Sequence, residues 1–185
     1  MIHVFPTDFL PAPVHFRAGS ASDYRALERF HYLPQRPATW AGVRVATCVD
    51  AGIDAGTDTQ TGTGAERVIA VAVLSYPSAL HRTRHKVFEL KHHGFGERIA
   101  WANANVRTIS RVIVHPQFRS IGLARVLIKQ LIDSATTRYV EASARMGRAH
   151  PLFERAGMHR VEPASAAEPV YYWIDRTRTT AQSAS

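Results

Sequence analysis

A chain of 185 residues that is 45% hydrophobic and 21% charged has the size and apolar content of one domain that closes its own core without metal or disulfide help. Its single cysteine, Cys48, has no internal partner and lies in the apolar-leaning run VRVATCV, as a buried thiol in a reducing compartment does. The opening MIHVFPTDFLPAPVHF has no basic leader pattern, and no stretch reaches the roughly 18 apolar residues of a membrane span, so a soluble cytoplasmic protein with no membrane association is expected. The formal charge of +8 suits either nucleic acid or one highly phosphorylated small ligand, and the scatter of arginines from Arg17 to Arg178 weighs against the first.

In chain order, residues 1–13 form an N-terminal extension and residues 14–176 a single domain. VHFRAG from Val14 is a short strand. Ser22 is the expected N-cap of DYRALERFHYL, where Tyr24, Leu27, Phe30 and His31 recur at helical spacing. Pro34 and Pro37 break the chain before a strand over Val43–Asp50. The Gly/Thr/Asp-rich run Ala51–Glu66 reads as a mobile hairpin loop, so the strand RVIAVAVLSYP pairs antiparallel with the one before it.

His81–His93, basic and histidine-rich, is expected to be irregular or helical and solvated; His81, His85, His92 and His93 lack the Cys or Asp that would complete a metal site, and no metal is expected. VRTISRVIV, Val106–Val114, is a strand. Leu123, Val126, Leu127 and Leu131 define one face of a helix over about Gly122–Ala135. RYVEASA is a strand, HPLFERAG a short helix closed by Gly157, PVYYWIDR a last strand, and residues 177–185 a disordered tail.

The segment between strand and helix carries the chemistry. A strand entering a helix through a glycine-containing loop aims free amides and the positive end of the helix dipole at one point, which attracts phosphate. Gly122 admits a close backbone approach and Arg119 adds charge-assisted bonds. The spacing is neither a Walker A loop nor the glycine pattern of dinucleotide folds. RSIGLA, Arg119–Ala124, is Arg-x-x-Gly-x-Ala, and it resembles the pyrophosphate loop of the GNAT superfamily of N-acetyltransferases. VIVHPQFRSIGLARVLI resembles that family's motif A and HPLFERAGM its motif B; together they are also similar to acetyltransferase domains joined to or beside ABC-type ATPases.

The resemblance implies an α/β (α+β) fold: a mixed, mostly antiparallel central sheet with helices on both faces and a splayed acetyl-CoA cleft. It implies acetyl transfer from acetyl-CoA to an amine acceptor, small molecule or protein, and an ABC-type ATPase as a candidate partner. The cofactor would lie against Val112 and Val114 and the main chain of Arg119, Ser120, Ile121, Gly122, Leu123 and Ala124.

The pattern also departs from the family. Phe153 stands where a tyrosine often serves as general acid, leaving His150 as the candidate donor to a thiolate whose conjugate thiol has a pKa near ~8.5. The motif A strand offers Thr108 and Ser110, expected on the same face as Val112 and Val114, in place of a carboxylate. Glu141, its pKa raised by partial desolvation, and His31 are then the candidate bases. Two other readings stay open: an inactive CoA-binding or interaction module, and a member of the same fold acting on nucleic acid or an RNA-bound partner.

Overall fold

The computed structural model describes residues 13–32, 35–49 and 66–177. The expected N-terminal extension, the hairpin loop after Val49 and the tail after Thr177 lie almost wholly outside them.

The strands are β1 (Val14–Ala18), β2 (Gly42–Val49), β3 (Glu66–Ser75), β4 (Val106–Val114), β5 (Tyr139–Ala144), β6 (His159–Val161) and β7 (Val170–Asp175). They form one sheet in the order β1-β2-β3-β4-β5-β7-β6. Every pairing is antiparallel except β4 with β5. The helices are α1 (Ala21–Leu27), α2 (Arg82–Val87), α3 (Phe95–Asn105), α4 (Leu123–Ser134) and α5 (Leu152–Arg155). Among the described residues no helix is long and apolar enough to cross a membrane.

Strand alternation builds a core on each face of the sheet. On one face Ala70, Ala72 and Leu74 of β3 pack with Leu123, Leu127 and Leu131 of α4. On the other, Val71 and Val73 meet Tyr24 and Leu27 of α1. Cys48 is buried in the α4 core, as its apolar context predicts.

Two sequence expectations change, and two elements, α3 and β6, had none. Ser20, not Ser22, caps α1, because Asp23 three positions on completes a reciprocal capping box with it. The histidine-rich segment is helical, as one of its two readings had it, but only partly solvated: it carries α2, with Arg84 and His85 buried and Arg82, Lys86, His92 and His93 exposed, and runs on into α3. Phe88, Trp101, Tyr139 and Trp173 pack as an aromatic cluster that holds α3 to the sheet. A three-residue strand, β6, had no period long enough to read.

Candidate functional site

β4 and β5 are laddered over four positions, Val106↔Tyr139 to Ile109↔Ala142, and then part. Beyond that point β4 has no ladder with β5, and the carbonyls of Ser110 and Val114 accept instead from the side chains of Arg111 and Arg119, at 2.7 and 3.3 Å. A cleft of about 800 Å³ opens there, lined by Val112 and Val114, the start of α4, Ala144, and residues up to Arg155 around α5.

The loop at one end of the cleft is curled by two left-handed residues, Ser120 (φ 69°) and Gly122 (φ 92°). Such curls turn successive amides toward one side and form anion-binding concavities. The first intrahelical bond of α4 runs from the Val126 amide to the Gly122 carbonyl, so the amides of Leu123, Ala124 and Arg125 precede the ladder. Arg119, Arg125 and Arg155 also line the cleft, so the end that presents amides is electropositive as well.

Val112, Val114, Arg119, Ser120, Gly122, Leu123 and Ala124 all line this cleft, and so do both histidine candidates, His31 and His150. Ile121 does not: its side chain packs against the α4 core, leaving only its main chain to serve the loop. Glu141 is not among the lining residues either.

A β-bulge explains a further displacement. Val73 pairs with Arg111 but Leu74 with Ile109, so Ser110 is an extra residue in β4. Contrary to the expected shared face, Thr108 therefore lies on the α1 side while Val112 and Val114 pack on the α4 side. Ser110 is tied to the Ser75 hydroxyl at 2.7 Å.

Thr108 sits opposite Glu141 and donates to its Oε1 at 2.7 Å. Arg84 grips the same carboxylate in a bidentate pair, Nε to Oε2 at 2.8 Å and Nη2 to Oε1, and the Tyr171 hydroxyl donates to Oε2 at 2.8 Å. Burial alone would raise the Glu141 pKa. The bonds from Arg84, Thr108 and Tyr171 outweigh it and hold the carboxyl below the usual range. The raised pKa expected of a base is thus corrected: this carboxylate is ionised, saturated and paired.

Residues 91–170 match a family model described as an acetyltransferase (GNAT) domain. The matched segment contains β4, α4, β5 and α5, which border the cleft. Among curated protein sequences none matches the chain. Solved structures share the fold. Arabidopsis thaliana NAA60 in complex with acetyl-CoA is 16% identical, covering 86% of this chain and 96% of that one, with TM-score 0.52. The GNAT family N-acetyltransferase YhbS of Escherichia coli in complex with CoA is 13% identical, covering 94% and 85%, with TM-score 0.52. Ard1 from Thermoplasma volcanium is 14% identical, covering 88% and 97%, with TM-score 0.52.

Phe153 lines the cleft and packs against Tyr172, ring centroids 5.1 Å apart. Tyr172 is buried, donates to the Gly147 carbonyl at 3.2 Å, and has its pKa pushed up to about 12, first by burial and then by Glu154. A phenol stands beside position 153, but its hydrogen is already committed. Sequence reading missed Arg84 and Tyr171, and weighed His81 only as one of four histidines too incomplete for a metal site. His81 caps α2 through its Nδ1 and holds the Ser143 hydroxyl through Nε2 at 2.9 Å. The one available signal was the β-strand parity that puts Glu141 and Tyr171 on one face.

Proposed function

We propose that this domain transfers an acetyl group from acetyl-CoA to an amine nitrogen by direct attack. The observation that carries the reading is the junction of two features in one cleft: a β4 edge that parts from β5, and the amide-rich, arginine-lined loop before α4. NAA60 bound to acetyl-CoA and YhbS bound to CoA, which share the fold, support it.

In this reading the pyrophosphate lies over Arg119–Ala124, where amides and helix dipole meet its charge. The pantetheine arm enters the splay beside the unladdered β4 backbone. Main-chain amides around Val112 and Val114 polarise the thioester carbonyl and stabilise the oxyanion that forms as nitrogen attacks. The new C–N bond forms, the C–S bond breaks, the amine proton passes to His31 directly or through water, and His150 protonates the departing thiolate. The proton acceptor is assigned to His31 rather than Glu141, since both Glu141 oxygens already accept hydrogen bonds.

Gly122→Glu puts a carboxylate in the phosphate path and should abolish CoA binding measured by calorimetry. Gly122→Ala, which imposes the same left-handed strain without charge, should retain it in weakened form. Unchanged CoA affinity in a folded Gly122→Glu protein would remove the reading.

A further inference from the structure

The cleft runs through the sheet rather than along one face of it. Side chains alternate along β4, and both parities line the cleft: Val112 and Val114 pack on the α4-side core, Ile113 on the α1-side core. The amide-rich loop leads into α4 and belongs to the first face. On the second face the wall is the turn after α1, which carries Phe30, His31 and Tyr32. A thioester arm entering from the loop side leaves its carbonyl open to attack from the α1 side, so this turn is the wall an acceptor meets.

That wall is aromatic and uncovered. Phe30 packs against the α1-side core and sets its ring 4.8 Å from that of the buried His115, which fixes the turn to the end of β4. Tyr32 is 60% exposed although it lines the cleft, and its ring lies 4.7 Å from that of His31 with the planes 31° apart. A large ring left open inside a cleft is apolar surface that a ligand can cover. Met146, 56% exposed, lines the wall that continues from β5 and offers a polarisable sulfur to a bound ring.

Charge narrows the choice further. Among the described residues the cleft lining holds three arginines, Arg119, Arg125 and Arg155, and no carboxylate. Glu141, on the α1 side beside Thr108, is already paired with Arg84, with side chains only 3% and 0% exposed. A second ammonium group on an acceptor therefore finds no counter-charge in the cleft.

We propose that the acceptor is an aromatic amine, with one amino group carried a few bonds from a flat ring that lies on Tyr32, taken in preference to alkylamines, diamines and polyamines. This rests on the acetyl-transfer reading above, which supplies the direction of the thioester arm. Ring against ring at a centroid separation of about 4.5–7 Å fixes orientation as well as affinity, so the contact that holds the acceptor also aims its nitrogen.

The experiment compares phenethylamine with butylamine, which lacks the ring, and with cadaverine, which replaces it by a second ammonium group. Phenethylamine should have kcat/KM higher than either by roughly 10- to 100-fold, the range that burial of one aromatic ring supplies. Tyr32→Ala should bring the ratio to butylamine close to one, mainly through KM, while butylamine turnover and calorimetric CoA affinity stay unchanged. Tyr32→Phe, which keeps the ring, should retain the preference. Equal or better use of butylamine or cadaverine by the unaltered protein, or equal losses on all three amines in Tyr32→Ala, would overturn the proposal.

Binding without turnover keeps the two readings apart. N-phenethylacetamide and N-butylacetamide are titrated into the protein with and without CoA. Preferential binding of N-phenethylacetamide that Tyr32→Ala removes and Tyr32→Phe keeps supports the aromatic site whether or not acetyl transfer is seen. Indifference to the ring while CoA still binds overturns the aromatic site and leaves the CoA site standing.

Discussion

At the scale of single residues, the Arg84–Glu141 pair dominates the interior next to the cleft. Two fully buried opposite charges recover their desolvation cost only with good geometry and with their remaining lone pairs satisfied, and here Thr108 and Tyr171 supply the missing donors. Removing one partner strands the other. Glu141→Gln should destabilise the fold by about 3–5 kcal/mol, read from urea denaturation, because Arg84 is left as an uncompensated buried cation. Replacing both, Arg84→Met with Glu141→Leu, should recover much of that loss. Because the folded carboxyl pKa is depressed, the contribution is complete above the ordinary carboxylate value near 4.5 and is lost as pH falls through the lower folded value. Equal stability of Glu141→Gln and the unaltered protein at pH 7 would mean that solvent reaches the pair.

At the scale of elements, the bulge in β4 links local geometry to the cleft. A bulge bends its strand and increases local twist, and Ser110 sits one residue past the final β4–β5 pair, where the strands separate. Ser110 is the supernumerary residue, so deleting it keeps Ile109 on the α4 side and Arg111 on the α1 side while straightening the ladder. The deletion variant should fold, losing about 1 kcal/mol with the Ser75 bond, but its β4 should stay paired to β5 and close the splay. Thermal melting near that of the unaltered protein combined with loss of CoA binding is the expected result; retained CoA affinity would separate the bulge from the cleft. The same residue marks where sequence reading stops. Thr108, Ser110, Val112 and Val114 share one parity in VRTISRVIV, and no residue type there reveals that an extra position changes faces. α4 was legible because Leu123, Leu127 and Leu131 are buried along one stripe. α3 was not, since FGERIAWANAN buries only Ala102 fully and is held by aromatic contacts with segments distant in sequence. The phosphate-type loop was readable because local backbone chemistry alone defines it; the Arg84–Glu141 pairing spans 57 positions and has no local trace.

At the scale of the whole molecule, a chain with formal charge +8 must keep further positive charge out of its interior. Three buried or half-buried histidines enforce this. Burial is the leading cause that lowers the pKa of His81, His85 and His115, and neighbouring arginines add to it: Arg84 beside His81, Arg98 and Arg84 beside His85, Arg67 beside His115. Glu141 offsets only part of the effect at His81 and His85. With folded pKa values below the ordinary 6.5, the unfolded chain takes up more protons as pH drops through that value. Stability contributed by the neutral imidazoles is therefore full above about pH 6.5 and is lost progressively toward the folded pKa values. Carboxylates act later in an acid titration: Asp175, held down to about 2 first by Arg138, keeps its charge far below that window. Urea midpoints should thus fall steadily between pH 7.5 and 5.5, before the acidic residues titrate. His115→Asn, which removes one buried imidazole at the Arg67 contact, should flatten part of that slope even if it lowers stability at pH 7.5. A midpoint constant from pH 7.5 to 5.5 would show that the folded protein protonates these histidines as readily as the unfolded chain does.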